Sequence, residues 1–389
     1  MHRLEDDRIK HSSQSHRVTV TFTTHRTMSP SDYIGLRSDG PSNDPSYSEI
    51  VEDKPYFPFL RVDANDEESI KNAAIMIVQS MNDVSVADLS VKTVLGGNTN
   101  GLYCVSQVMG GITNRILVRI FGAPGLIDRD IENSNYAALA KRGIAPRYYG
   151  RFANGRVEGW LDMKHLEVAE LGNFNKQIAE QLGKLHVNFV LEPKEEPNMW
   201  SQLRSWMDQA LVANFQNETD QQRAAKLDVT SLPAELGWLQ ESVVPKDAKT
   251  AFCHNDALAA NILVSSDLKD IQLIDFEYGG PNYVAFDIAN HFNEYAGGTD
   301  NGVPMYELFP TEEKQREFLV AYLLAVNGKD PTETEVNALC KEVQAFVLVN
   351  HLYWGLWAVN QAAVEGCSGF DYLLYAKHRI GRYGATKNL

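Results

Sequence analysis

The tightest constraint in the chain lies between residues 252 and 294. His254-Asn255-Asp256 is followed by Asn261 five positions after the aspartate, and by Asp275-Phe276-Glu277 a further 14 residues on. The residues between Asn261 and Asp275 read as a β-hairpin. Residues 261–264 form one short apolar strand, 265–270 a polar turn and 271–274 a second strand. A hairpin brings Asn261 and Asp275 to neighbouring strand ends. Both offer oxygen atoms, which suits a hard cation, and Asp256 is an acid able to orient a hydroxyl or accept its proton. From the residues alone, a surface turn with scattered acids is the competing reading.

The His-to-Asp and Asp-to-Asn spacings match the H-R-D-x-x-x-x-N loop of protein kinases, and Asp275-Phe276 stands where those enzymes carry a metal-binding D-F-G turn. The wording is narrower than that pattern. His254-Asn255-Asp256, Ile274-Asp275-Phe276-Glu277-Tyr278, Asn282-Tyr283 and the run from Phe286-Asp287 to Asn293-Glu294 resemble the choline/ethanolamine kinase family. The resemblance covers roughly residues 65–384, and this stretch is its most specific part. Glu277 replaces the glycine of the protein-kinase turn, as it does in the amino-alcohol kinases. The resemblance implies an α+β, two-lobed, protein-kinase-like fold: an N-lobe over 61–163, β-rich and nucleotide-binding, and a C-lobe over 164–389 with the catalytic loop and substrate pocket. It implies ATP and Mg²⁺ as cofactors and a small amino alcohol, ethanolamine or choline, as partner. Asp256, His254 and Asn261 become the expected catalytic residues, and Asn261, Asp275 and Glu277 the expected metal ligands.

Residues 1–60 carry many Ser, His, Asp and Arg and few periodic apolar positions, and read as a disordered extension. A first helix is predicted over 67–82. Two similar phrases follow, Gly96-Gly97-Asn98-Thr99-Asn100 and Gly110-Gly111-Ile112-Thr113-Asn114, set between β-type segments. Strand, turn, strand, turn, strand is the reading. The first phrase stands where the family's phosphate-covering loop belongs, its glycines letting backbone N–H groups approach the nucleotide. The residues alone leave both phrases open as plain hairpin turns, and leave the order of the two open. Arg119 stands where protein kinases place a phosphate-contacting lysine, and Arg suits bidentate phosphate contact. Glu132, on a helix predicted over 128–142, is its expected partner; a solvated helix-face glutamate is the alternative. Two strands are predicted around Asn154-Gly155, leading to a hinge where the resemblance places adenine against backbone groups near Gly159 and Leu161.

Helical periodicity dominates thereafter, over 175–188, 200–215, 235–244, from near Phe286, and over 311–326 and 332–359. His186 lies on an apolar helix side and reads as structural. Asp287 is expected to brace the catalytic loop, with a plain helix cap as the alternative. Trp354 and Trp357 share a helix face. Core packing is the ordinary reading of such a pair. The resemblance makes them, with Tyr375, a wall for the substrate ammonium, a contact worth ~2 kcal/mol when desolvated. Glu294 adds a carboxylate to the same pocket.

The chain has 36 basic and 51 acidic residues, a formal charge of −15, and 44% hydrophobic content. That balance disfavours nucleic acid and anionic membrane as partners. Four cysteines are spread without a C-x-x-C and read as reduced thiols. The N-terminus has no secretory pattern, and the longest apolar region, near 345–359, is interrupted by Asn350 and His351. A cytoplasmic enzyme without stable membrane insertion is expected, with a homodimer left open. The segments 118–122, 291–297 and 370–372 look nearer to ethanolamine kinases than to choline kinases. The rival readings are a choline kinase, an aminoglycoside-type phosphotransferase, which would have no reason to carry the run from Asp287 to Glu294, and a pseudokinase scaffold, against which the complete set of His254, Asp256, Asn261 and Asp275 argues.

Overall fold

Two-residue alternation in the first third of the chain gives way to 3.6-residue periodicity, and the two patterns build two lobes with two core clusters, the larger of which also takes in Tyr136, Ala137, Ala138, Leu139 and Tyr148 of the small lobe. The computed structural model describes residues 55–81, 83–94, 100–109, 112–122, 128–189 and 196–388. Most of the expected extension, residues 1–54, lies outside them, as do Gly96, Gly97, Asn98 and Thr99 of the first glycine turn and Gly110-Gly111 of the second.

The small lobe runs from β1 (Tyr56–Phe57) through α1 (Glu67–Ile77) to three antiparallel strands, β2 (Leu89–Val94), β3 (Asn100–Met109) and β4 (Ile112–Phe121). Helix α2 (Arg129–Lys141) starts at Asp128, whose side chain accepts from the N–H groups of Asp130 and Ile131. Strands β5 (Tyr148–Phe152) and β6 (Gly155–Gly159) complete a sheet of order β1-β5-β6-β4-β3-β2. Helix α1 buries Ile70, Ala73, Ala74 and Ile77 in one cluster with Val105, Ile116, Val118 and Val157. Strand β1 pairs parallel with β5, so the small lobe begins before residue 61, inside the span read as an extension. Two residues are too few to show an alternation. Asn154 of the β5–β6 turn holds the chain between them, donating to the Val62 carbonyl and accepting from its N–H, both at 2.9 Å.

The larger lobe contains β7 (Met163–His165), α3 (Asn175–Asn188), α4 (Met199–Leu211), α5 (Glu218–Ala225), α6 (Leu232–Trp238), β8 (Thr250–Cys253), β9 (Ile262–Ser265), β10 (Ile271–Leu273), β11 (Gly280–Tyr283), α7 (Val284–Glu294), α8 (Glu312–Asn327), α9 (Glu333–Glu365) and α10 (Tyr372–Thr386). The expected hairpin is β9–β10. The helix expected over 235–244 is shorter and ends in a wide turn over Leu239–Val243. Helix α9 starts at a capping box between Thr332 and Glu335 and continues to Glu365, past the expected end. Every residue of α7 is buried, since it runs through the middle of the large core. No helix among the described residues is long and apolar enough to cross a membrane.

Buried charge joins the small-lobe sheet to α2. Arg119 Nε donates to Glu158 at 2.8 Å, Arg156 Nε donates to the same oxygen at 2.6 Å, and Arg156 Nη1 donates to Glu132 at 2.6 Å. The expected pairing of Arg119 with Glu132 is therefore corrected. Arg156, fully buried and stacked 4.2 Å from the Tyr136 ring centre, takes Glu132, and Glu158 takes Arg119. Burial opposes the charge on Glu158, but Arg119 and Arg156 outweigh it and hold its carboxyl down at about 2. A folded pKa below the unfolded one gives stability that is present above about pH 4.5 and is lost as pH falls toward 2. Arg156→Met takes one of its cationic partners from each of two buried carboxylates, leaving Glu158 to Arg119 and Glu132 to Arg129, and should cost about 3 kcal/mol of unfolding free energy at neutral pH. Urea titration should show that deficit narrowing as pH drops toward 2; a loss under about 1 kcal/mol at pH 7 would show that the network is replaceable.

Candidate active site

Strands β8 and β11 pair with Cys253 opposite Gly280 and release the chain into the loop that carries His254, Asn255 and Asp256. Asn255 adopts φ 65°, a left-handed conformation that asparagine tolerates better than most residues. Its side chain donates to the Tyr278 carbonyl at 2.8 Å and accepts from Asn282 at 2.7 Å. The N–H groups of His254 and Asn255 donate to the two oxygens of Asp287, at 2.8 and 2.7 Å. Asp287 is thus a brace for the loop and not a plain cap. His186 lies 2.9 Å from Asp287 through Nε2 and 2.9 Å from the Tyr322 hydroxyl through Nδ1. These bonds and the nearby His186 and His254 hold the Asp287 carboxyl below its usual range although burial opposes them. His186, Cys253 and Asp287 bring ligand-type atoms within 4.8 Å of one another. The histidine and the carboxylate are already engaged in hydrogen bonds, so the group supports the loop.

His254, expected among the catalytic residues, does not line the pocket described below. It is fully buried, with Nε2 2.9 Å from the Ile274 carbonyl and Nδ1 accepting from the Asp256 N–H at 3.3 Å. Its position is that of a tie between the loop and the end of β10. The hairpin does what its spacing predicts. Ile271 sits opposite Val264, Leu273 opposite Ile262, and the Ile274 N–H donates to the Asn261 carbonyl at 3.0 Å. Asn261 and Asp275 therefore stand side by side. Asp275 has φ 62° and ψ 63°, a strained conformation for a residue with a Cβ, costing on the order of 1–3 kcal/mol.

The loop, the hairpin end and helices α7, α9 and α10 enclose a cavity of about 330 Å³. Asp256, Asn261, Asp275, Glu277, Glu294, Trp354, Trp357 and Tyr375 all line it. Tyr278, Asp300, Phe370 and Tyr372 line it too, and of these Tyr278 and Asp300 carried no sequence signal beyond their neighbours. Four of the expected residues are carboxylates facing one small space, and repulsion from neighbouring carboxylates adds to burial in the ionisation of Asp256 and Glu277. Burial, then Glu294, Glu277 and Asp275, raise Asp256 well above the usual range. Burial and the charges of Asp275 and Glu132 raise Glu277 to about 7. Burial raises Glu294 to about 7 despite Arg379 at 3.6 Å. Such a cavity favours cations.

The donor atoms fit a hard metal ion. Asn261 Nδ2 donates to the Asp256 carbonyl at 2.9 Å and to its carboxylate at 3.0 Å, which leaves Oδ1 for a cation. Asp275 accepts from Arg119 Nη1 at 3.2 Å on one oxygen and keeps the other. Oxygen-only ligands of this kind suit Mg²⁺. On the small-lobe side, Arg129 Nη1 and Asn100 Nδ2 each lie 3.4 Å from the same Glu277 oxygen. At the expected hinge, the Gly159 N–H donates to the Arg147 carbonyl at 2.7 Å, inside the sheet. Leu161 lies in the connector between β6 and β7.

The aromatic wall is interlocked. Trp354 and Trp357 rings meet edge-on at 5.4 Å, and Tyr372 meets Trp357 at 5.6 Å. Trp354 Nε1 donates to Asn290 at 2.6 Å and Trp357 Nε1 to the Tyr278 hydroxyl at 2.9 Å. Asn290 also accepts from Asn350, which in turn accepts from Asn293, so a buried amide ladder fixes the tryptophan.

A β-rich lobe set on a helical lobe, with Asp256, Asn261 and Asp275 gathered at one cavity, defines a kinase-like phosphotransferase fold. The comparisons narrow this. The sequence pattern of the family described as choline/ethanolamine kinase matches residues 91–384. Ethanolamine kinase 1 of Homo sapiens is 32% identical over 363 residues, covering 88% of this chain and 78% of the relative. A probable choline kinase 1 of Arabidopsis thaliana is 31% identical, covering 83% of this chain and 94% of the relative. Among solved structures, an ethanolamine kinase of Plasmodium vivax superposes with a TM-score of 0.71 at 25% identity, covering 88% of this chain and 94% of that one. A choline kinase of Cryptosporidium parvum superposes with a TM-score of 0.70 at 25% identity, covering 83% and 96%. The chain belongs to the choline/ethanolamine kinase family.

The brace can be tested by itself. Asp287→Asn keeps the size but turns an acceptor into a donor facing backbone N–H groups. It should cost about 1–3 kcal/mol in chemical denaturation; an unchanged midpoint would remove Asp287 from the support of the loop.

Proposed function

We propose that the protein transfers the γ-phosphoryl group of ATP to the hydroxyl of a small amino alcohol, ethanolamine ahead of choline. The observation that carries this reading is the single cavity in which four carboxylates face an aromatic wall, in a chain of this family. Asp256 orients the hydroxyl and takes its proton as the new P–O bond forms and the bond to ADP breaks. Its raised pKa is an effect of burial and of neighbouring negative charge; positive charge brought into the cavity favours its ionised form. Asn261, Asp275 and Glu277 would hold Mg²⁺, which when bound neutralises phosphate charge. Arg119, Asn100 and the turn of Gly96, Gly97, Asn98 and Thr99 are the proposed nucleotide contacts, with Leu161 at the adenine; the last turn lies outside the described residues. Glu132 acts one step away, through Arg156 and Arg129.

Ethanolamine brings an ammonium with three donors, and choline a bulkier cation with none. Leaving donors unpaired on burial costs roughly 1–3 kcal/mol, so the ethanolamine preference rests on a buried acceptor. Glu294 is that acceptor, and Trp354, Trp357 and Tyr375 are walls that either cation can use. The relatives named as ethanolamine kinases match at slightly higher identity than those named as choline kinases.

Two measurements test the proposal. Asp256→Asn should lower kcat by at least ~10²-fold with the fold intact; activity within a few-fold of wild type would take Asp256 out of the mechanism. The wild-type enzyme should show about tenfold higher kcat/KM for ethanolamine than for choline, equivalent to ~1.4 kcal/mol. That advantage should grow as pH rises through about 7, because Glu294 loses its proton there while an alkylammonium stays charged. Glu294→Gln should flatten the profile and hurt ethanolamine more, whereas Trp357→Ala should hurt choline more. A wild-type preference for choline would overturn the substrate assignment and leave the reaction class standing.

A further inference from the structure

Behind the pocket lies a second cavity, of about 400 Å³, built by the same three helices. Each helix gives a residue to both spaces. Helix α7 contributes Glu294 to the first and Asn293 to the second, α9 Trp354 and His351, and α10 Tyr375 and Arg382. The front cavity is acidic. Among the described residues the rear cavity has no Asp or Glu in its lining, although the chain carries 51 acidic residues against 36 basic ones.

Polar atoms are left over at its walls. His351 is 2% exposed and its Nδ1 has no hydrogen-bond partner; Asn293 is 1% exposed and its Oδ1 has none; the Tyr306 hydroxyl has none either. Buried polar groups are nearly always paired, so three orphans on one cavity ask for an occupant that supplies partners. Two cations also line the space. Lys387 is engaged by Glu235 at 2.6 Å. Arg382 lies 4.9 Å from the Tyr306 ring centre, and among the described residues no carboxylate pairs with it. Burial and the charges of Arg379 and Arg382 keep His351 neutral, so it offers one ring N–H and one acceptor nitrogen. The remaining wall is apolar, with Phe309, Val347 and Leu348.

We propose that this rear cavity is a binding site for a small organic monocarboxylate with an apolar body. One unpaired guanidinium matches a single planar negative group, which it can meet bidentately. The Tyr306 hydroxyl and the His351 ring supply neutral donors, Asn293 Oδ1 takes a hydroxyl or a water carried with the ligand, and Phe309, Val347 and Leu348 cover the hydrocarbon. A phosphate dianion fits less well, because it would meet one free cation and an apolar wall. The site is independent of the amino-alcohol reading, since none of its groups belongs to the proposed reaction.

The full chain, without nucleotide or amino alcohol, is titrated with benzoate, 4-hydroxybenzoate and hexanoate, and separately with inorganic phosphate, in thermal denaturation and isothermal calorimetry. At least one carboxylate should bind saturably with 1:1 stoichiometry and raise Tm by about 1–3 °C near saturation. Arg382→Gln should weaken that binding at least ~10-fold while kinase activity in carboxylate-free buffer stays within about twofold of wild type. His351→Leu, which removes an orphaned polar group and adds bulk, should abolish binding without lowering Tm in ligand-free buffer. Absence of saturable binding by all three carboxylates, equal binding by Arg382→Gln, or saturation by phosphate alone would each overturn the proposal.

Discussion

Repulsion among four carboxylates is the constraint on which the rest of this molecule depends. Asp256, Asp275, Glu277 and Glu294 face one cavity; neighbouring carboxylates add to burial in raising Asp256 and Glu277, and burial raises Glu294. A folded chain can hold such a cluster only if rigid surroundings keep the acids from moving apart and nearby cations relieve part of the charge. The structure does both. Arg119 and Arg129 reach Asp275 and Glu277 from the small lobe, and Arg379 reaches Glu294 from α10. Asp287 and His254 fix the loop from below through hydrogen bonds to main-chain atoms. The residual negative charge suits the metal ion and the alkylammonium proposed to bind there.

Local patterns in the sequence resolved what is local in the structure. The β9–β10 hairpin was legible because two apolar runs flank a polar turn, and its consequence, Asn261 beside Asp275, follows from register alone. Helix α3 was legible to its last residue because its apolar positions recur every three to four residues. What was not legible depends on partners distant in sequence. Arg119 pairs with Glu158, 39 residues away, because β4 and β6 are neighbours in the sheet. Helical periodicity on α2 left Glu132 open between a buried pairing and a solvated face, and could not say which arginine it meets. The His254 side chain looked chemical because of its motif, yet its ring is spent on the Ile274 carbonyl. Tyr278 and Asp300 reach the cavity only through tertiary folding, and no spacing rule links them to Trp357 or Glu294.

The seam between the lobes is polar where it crosses the site. Arg119 to Asp275, Arg129 to Glu277, Asn100 to Glu277 and Asn135 to the Gly279 carbonyl are among its hydrogen bonds, at 3.1 to 3.4 Å. These are long for charged or amide donors, and each can be exchanged for another partner at small net cost, unlike the apolar packing within either lobe. Apolar packing also crosses between the lobes, since Tyr136, Ala137, Ala138 and Leu139 of α2 and Tyr148 of β5 belong to the larger core, so these bonds are not all that holds the small lobe. The carboxylates used in the seam are those proposed to bind metal, so filling the site and setting the lobes relative to each other draw on the same atoms.

Helices α7, α9 and α10 have the opposite character. They cross the large core with their apolar faces shared, and a buried ladder of Asn290, Asn350 and Asn293, closed by Arg379 on the Asn350 carbonyl at 3.1 Å, joins all three. Hydrogen-bonded amides in a low-dielectric interior are costly to break singly, because each partner left behind is desolvated and unpaired. The ladder therefore locks the rotation of the three helices as a set. Trp354 hangs from Asn290 on one side of that set, and Asn293 and His351 face the rear cavity on the other. A set that cannot rotate element by element presents a fixed aromatic wall to the front cavity, so the proposed discrimination between two ammonium ions would rest on atoms already in place: the Glu294 oxygens, which an N–H can reach and a methyl group cannot use, and the ring faces, which serve both.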